Sequence, residues 1–230
     1  MPTSTSPWVE IRHRIAAAAQ AAGRDPAGVA LLAVSKGQSL DAIRTLAAQG
    51  QRAFGENYVQ EALPKIAALE GLDLSWHFIG RLQRNKTRDV AARFDWCHGL
   101  DRLAIAERLN DQRPAHLPPL QCCIEVNLDA EPTKGGVAPG EVPQLVTALA
   151  DLPRLRLRGL MGMPAPHADP ARHRAAFRHL RELLAACGTG LDTLSMGTSA
   201  DFEVAIAEGA TIVRIGTAVF GPRLPRDALV

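Results

Sequence analysis

The chain has 230 residues, 47% of them hydrophobic and 22% charged, which are the proportions of a folded globular protein and exclude a disordered, collagenous or coiled-coil one. Formal net charge is +2, too small to mark a nucleic-acid binder by electrostatics alone. No apolar run approaches the roughly 20 residues of a membrane-spanning helix.

Taken in chain order, Ser6-Pro7 reads as an N-cap followed by proline at the first helical position. Ile11 and Ile15 continue an apolar stripe that Gly23 ends, so a helix is expected within residues 1–23, packed on the rest of the domain. This start lacks the basic, apolar and cleavage regions of a secretory signal, and a cytoplasmic location is expected. Short β-like runs then recur at 29–35, 53–56, 75–80, 96–100, 120–128, 155–163, 193–197 and 211–216. Amphipathic stretches lie between or after them at 40–48, 59–69, 102–111, 142–149, 172–187 and 200–208. Strands such as VALLAV, apolar throughout, suit a sheet buried on both faces.

Regular alternation of strand and helix calls for parallel β-α units, and eight of them match a small TIM (β/α)8 barrel. One domain spanning 1–230 is expected, with the first helix as an addition. A doubly wound open sheet is the alternative, but its glycine-rich phosphate turn is missing after the first strand, which runs into Ser35-Lys36-Gly37-Gln38. The softest segment is the loop 129–140. Cys97, Cys122, Cys123 and Cys187 show neither CxxC nor Cys/His metal spacing, so reduced thiols and no metal site are expected.

In a barrel of this kind chemistry gathers at the C-terminal ends of the strands. The sequence has only four lysines, and Lys36 directly follows the first strand. It reads either as a solvated strand-end residue or as a partly buried amine made nucleophilic by desolvation. Polar residues also end the second strand (Glu56, Asn57), the third (His77 in WHFIG) and the fifth (Glu125, Asn127). His77 by itself reads as a core histidine. The turns Ser195-Met196-Gly197-Thr198-Ser199 and Arg214-Ile215-Gly216-Thr217 follow the last two strands, where small residues let backbone amides approach an anion. Each turn alone is an ordinary β-α connection. An amine facing a phosphate cradle suggests a phosphorylated aldehyde held as a Schiff base, and pyridoxal 5′-phosphate (PLP) is the cofactor that needs both, with Arg214 as partner for its pyridine nitrogen.

These motifs resemble the pyridoxal phosphate homeostasis proteins, which share the barrel of the alanine racemase N-terminal domain. The resemblance rests on LLAVSK (31–36), FGENYVQE (54–61), WHFIG with LQRNK (76–86), RGLMGMP (158–164) and LSMGTSADFEVAIAEGATIVRIGTAVFG (194–221). It implies that Lys36 is the Schiff-base lysine, that Met196, Ser199, Gly216 and Thr217 belong to the phosphate turns, that Arg214 faces the pyridine nitrogen, and that Asn57 and His77 line the pocket. Arg81 and Arg84 stand where the family pattern has Pro and Ser, Gly135 where it has Ser, Gly37 where Thr is frequent and Thr198 where Met is frequent.

The function so implied is PLP homeostasis: holding the cofactor without catalytic turnover, as a monomer, with PLP-dependent apo-enzymes as recipients. The alternative is a PLP-dependent racemase or another small amino-acid enzyme. Against it, an arginine at the pyridine nitrogen keeps its own proton and weakens the cofactor as an electron sink. Racemisation also needs an acid/base on each face of the substrate, and Tyr58 is the sole tyrosine. A nucleic-acid role through Arg81, Arg84, Lys86 and Arg88 is a remote third reading, since such a stretch reads as a solvated helix face.

Overall fold

The computed structural model describes residues 6–129, 135–167, 169–188 and 190–221. The first helix, α1 (Pro7–Ala21), starts as the sequence demands: the Ser6 hydroxyl accepts from the Val9 amide and proline occupies the first turn. Its face of Trp8, Ile11, Ile15 and Ala19 is buried. Eight strands come next, each leading to a helix: β1 (Ala30–Val34) to α2 (Leu40–Ala48), β2 (Ala53–Glu56) to α3 (Val59–Ala68), β3 (Ser75–Phe78) to α4 (Thr87–Arg93), and β4 (Trp96–Leu100) to α5 (Leu103–Gln112). The second half repeats the unit: β5 (Leu120–Val126) to α6 (Val142–Leu149), β6 (Leu155–Gly162) to α7 (Pro170–Ala186), β7 (Thr193–Ser195) to α8 (Phe202–Ala207), and β8 (Ile212–Ile215) to the short α9 (Thr217–Phe220). Neighbouring strands are parallel, and β8 pairs back onto β1 with Ala30 opposite Ile212 and Leu32 opposite Arg214, closing the barrel. The open-sheet alternative is thereby excluded, and α1 lies against α8 and α9.

Strand ends differ from the sequence reading where the backbone turns. The third strand stops at Phe78 short of Gly80, whose added Cβ would lie 2.2 Å from the Asn57 carbonyl oxygen. The seventh stops at Ser195 because Gly197 takes φ +94°, a left-handed conformation reserved in practice for glycine. The helix α4, which sequence periodicity does not single out, begins at Thr87, beyond most of the basic stretch. Between strands and helices lies a core that includes Phe54, Phe78, Phe94, Leu109 and Leu120, all essentially free of solvent. No described helix is long and apolar enough to cross a membrane. The described cysteines are free thiols, and no cluster of metal-ligating side chains occurs among the described residues.

The β5–β6 pairing carries an irregularity: Cys122 faces Leu157 while Cys123 faces Gly159, so Arg158 is the extra residue of a bulge. Its guanidinium leaves the sheet to bind Asp192 and Gln121. Gly159 lets the strand pass β7 closely, since a Cβ there would sit 1.9 Å from the Thr193 carbonyl oxygen. Gly159→Ala is expected to lower unfolding free energy by about 3 kcal/mol, the upper end of usual overpacking costs, as read by urea denaturation. A change within a few tenths would show that β6 has slack at the bulge.

Candidate functional site

The turn bearing Lys36 is clamped from beneath. Ser35, immediately after β1, gives its carbonyl to Lys65 Nζ at 2.8 Å and its hydroxyl proton to Glu56 Oε1 at 2.6 Å. On the other side of Lys36, the Gly37 amide donates to Glu61 Oε1 at 2.5 Å. Lys65 joins the two carboxylates, at 2.8 Å from Glu56 and 2.6 Å from Glu61. The peptide units on both sides of Lys36 are therefore tied to one buried ion cluster on β2 and α3. Burial pushes the Glu56 carboxyl up, and the Lys65 ammonium opposes that. Lys65 is spent in this cluster, whereas Lys36 lines the cavity at the barrel mouth.

Above the strand ends lies a cavity of about 320 Å³ lined by Lys36, Asn57, Glu125, Ser199, Arg214, Gly216 and Thr217, with Val34, Ile79, Met161 and Met163 as its apolar wall. Ser199 sits in a turn fixed by Asp201, whose Oδ1 accepts from the Thr198 amide at 2.6 Å and the Thr198 hydroxyl at 2.9 Å. Gly216 abuts β1, where an added Cβ would lie 3.3 Å from the Val34 carbonyl oxygen. The first backbone hydrogen bond of α9 runs from the Val219 amide to the Gly216 carbonyl at 2.9 Å, so the amides of Thr217 and Ala218 precede it. Asn57 Oδ1 is a buried oxygen with no hydrogen-bond partner. These features fit a ligand with a phosphate at one end and polar groups for Asn57 at the other.

Beneath the cavity the barrel interior is polar. Arg214 Nη1 donates to the Ser195 carbonyl at 2.5 Å and the Ser195 hydroxyl at 2.9 Å, and Nη2 to the Gly162 carbonyl at 3.1 Å. Ser195 Oγ lies 2.8 Å from His98 Nδ1, and His98 Nε2 lies 2.9 Å from His77 Nδ1. Since β4 and β7 are not neighbours, the His98–Ser195 contact crosses the interior. Burial holds the Arg214 pKa down at about 10, with Glu125 and Asp201 opposing, so the guanidinium stays charged at neutral pH. Burial depresses His77 to about 3 and His98 well below 6.5, so both rings are neutral. Glu125 is pushed up by burial and by Asp101, against Arg214 and Arg81.

Of the residues singled out from the sequence, Lys36, Asn57, Ser199, Arg214, Gly216 and Thr217 share one cavity. His77 and Met196 do not line it: His77 lies in the interior chain and Met196 is wholly buried. Sequence reasoning missed His98, Lys65 and Glu61, and noted Glu125 only as a polar strand end. The FGENYVQE run did hold a signal, because Glu61 and Lys65 are four apart on one helix and read as a pair. Lys134 lies outside the described residues.

Residues 9–224 match the family model of the alanine racemase N-terminal domain. The pyridoxal phosphate homeostasis protein of Pseudomonas aeruginosa is 57% identical over 223 residues, which cover 97% of each chain. The structure of PipY from Synechococcus elongatus with PLP bound superposes with a TM-score of 0.81 at 38% identity, covering 92% of this chain and all of that one. Alanine racemase from Corynebacterium glutamicum shares the fold, with a TM-score of 0.65 at 19% identity over 95% of this chain and 62% of its own.

The buried groups lead to two expected outcomes. Lys65→Met leaves two carboxylates without their cation and should cost about 3–5 kcal/mol of stability, measured by chemical denaturation; an unchanged midpoint would remove the cluster from any role in holding the Lys36 turn. Both interior histidines have folded-state pKa values below 6.5, so the unfolded chain takes up protons that the folded one refuses. Their contribution is complete above that value and is lost as pH falls, for His77 down to about 3. Stability should decline by about 1.4 kcal/mol per pH unit per histidine below the unfolded value. Denaturation series at pH 7, 6 and 5 read this, and a flat profile would mean the rings bind protons in the fold as they do in the unfolded chain.

Proposed function

The chain belongs to the alanine racemase N-terminal domain family and, within it, to the pyridoxal phosphate homeostasis proteins, and from that membership we propose that it binds PLP at the barrel mouth and serves its homeostasis. The observation that carries the reading is the meeting of one lysine, two small-residue turns and a buried arginine in a single cavity. When bound, PLP supplies an aldehyde to which an amine attaches as a Schiff base with loss of water. Lys36 Nζ is the amine, on a turn whose flanking peptides are pinned. The amides and hydroxyls of Ser199, Gly216 and Thr217 hold the phosphate, Asn57 Oδ1 takes a polar group of the ring, and Arg214 stands toward the ring nitrogen.

The protein holds PLP and does not turn it over. Arg214 keeps its proton at neutral pH and leaves the ring nitrogen without one, which weakens electron withdrawal. Tyr58 is 56% exposed and is absent from the cavity wall, so it does not supply a base there. PLP-dependent apo-enzymes are the recipients. One feature favours the enzyme alternative: Glu125 lines the cavity from β5, on the far side of the barrel from Lys36, and its raised pKa suits proton transfer.

After borohydride reduction of the PLP-loaded protein, peptide mapping should find the pyridoxyl group on Lys36; recovery mainly on Lys65, Lys86 or Lys134 would overturn the assignment. Pyridoxal without phosphate should bind at least roughly a hundredfold more weakly, about 3 kcal/mol for the lost charge-assisted hydrogen bonds. Equal affinities by titration would make the two turns structural only. Common amino acids should show no sustained racemisation, transamination or decarboxylation, while apo-enzymes acquire PLP from the loaded protein. Turnover abolished by both Lys36→Ala and Glu125→Gln would decide for the enzyme.

A further inference from the structure

The interior chain from Ser75 to Arg214 has a direction that its chemistry fixes. Arginine has donors and no acceptor, so at the 2.9 Å contact with Ser195 the hydroxyl oxygen must accept from Arg214 Nη1. A serine oxygen has two lone pairs, so this contact alone leaves the next one open; what directs it is that, among the described residues, the acceptor within reach of the Ser195 hydroxyl proton is His98 Nδ1, 2.8 Å away. A neutral ring that accepts at Nδ1 carries its hydrogen on Nε2, and that nitrogen faces His77 Nδ1 at 2.9 Å. His77 is in turn an Nε2–H tautomer, with Ser75 Oγ at 3.1 Å as its acceptor. Every hydrogen bond from the arginine to the far end of the chain points away from the cavity.

Packing keeps the rings in that arrangement. His77 stacks on Trp96 with ring centres 5.2 Å apart and planes 6° from parallel, and both imidazoles are buried. The chain does not deliver protons to the cavity, because its last member has no lone pair to receive one. It acts on the arginine itself: with its proton held by His98, the Ser195 hydroxyl is fixed in one rotor position and turns a lone pair toward Nη1. We propose that His98, backed by His77, is a positioning residue that locks the Ser195 hydroxyl as an acceptor for Arg214 and so sets, from inside the barrel, the orientation of the cation presented to a ligand ring. This rests on the reading that the cavity takes PLP.

Imidazole 15N spectra of the whole protein without ligand test the first half. Both histidines are expected as Nε2–H tautomers between about pH 6 and 8; an Nδ1–H tautomer at His98, or protonation in that range, would overturn the proposal. PLP binding and the visible absorption of the loaded protein test the second. His98→Leu and Ser195→Ala should each raise the PLP dissociation constant about tenfold and displace the visible band. His98→Asn, whose amide oxygen can accept the Ser195 proton, should restore both toward wild type. Variants that lose stability yet bind PLP with unchanged affinity and band would make the chain merely structural and overturn the inference. Should His98→Leu fail to fold, Ser195→Ala decides by the same readouts. Wild-type protein that fails to bind PLP would refute the functional reading, whatever the tautomers show.

Discussion

Arg214 carries a charge that burial penalises, and the mouth of the barrel is arranged to bear it. The guanidinium is met by two backbone carbonyls and one hydroxyl, from the ends of β6 and β7. Carbonyl and hydroxyl oxygens satisfy N–H donors without neutralising the charge. The neighbouring carboxylates, Glu125 and Asp201, act on it through space. The guanidinium charge is therefore kept at the cavity wall without a direct counter-ion, where an anionic, ring-bearing ligand benefits from it. The neutral histidines behind it obey the same constraint: a protonated ring next to a buried guanidinium would add like-charge repulsion to desolvation.

Lys36 is fixed by the opposite strategy. Its own side chain reaches the cavity, and the cost of precision falls on residues it does not use for chemistry. Glu56, Glu61 and Lys65 form an ion cluster that is almost wholly enclosed on its Glu56–Lys65 side. Such clusters are seldom a net source of stability compared with apolar packing. What this one delivers is geometry: it grips the carbonyl before Lys36 and the amide after it, while Gly37 at φ +69° allows the sharp reversal between them. For the Schiff-base role proposed for Lys36, a backbone that cannot drift holds the amine in one place.

The barrel was legible because parallel strands buried on both faces leave long apolar runs, and VALLAV or LQCCIEV can hardly be anything else. The first helix start was legible too, since Ser6 accepts from a first-turn amide as its sequence suggests; Ser39 caps α2 in the same way without having been singled out. Local pattern cannot show which residues meet across the barrel. His98 sits in WCHGL, where it reads as one more core residue, and its link to Ser195 spans 97 positions. His77 was assigned to the pocket through resemblance, yet its hydrogen bonds run down into the interior. Strand alternation places a side chain inside the barrel; it does not say at what depth.

Two of the positions at which the sequence departs from the pattern it resembles, Arg81 and Gly135, lie around Glu125. A carboxyl at this point of the cavity wall is desolvated and lies near Asp101, both of which resist its ionisation. Arg81, where the pattern has proline, adds a cation that favours the ionised form together with Arg214. Gly135, where the pattern has serine, leaves space: a Cβ there would come within 3.1 Å of Glu125 Oε2. One position supplies charge and the other room, so Arg81, Glu125 and Gly135 form a unit spread over β5 and the loops after β3 and β5. Glu125, so surrounded, shares the cavity wall with Lys36 and acts through space on Arg214, which binds it into the same electrostatic site.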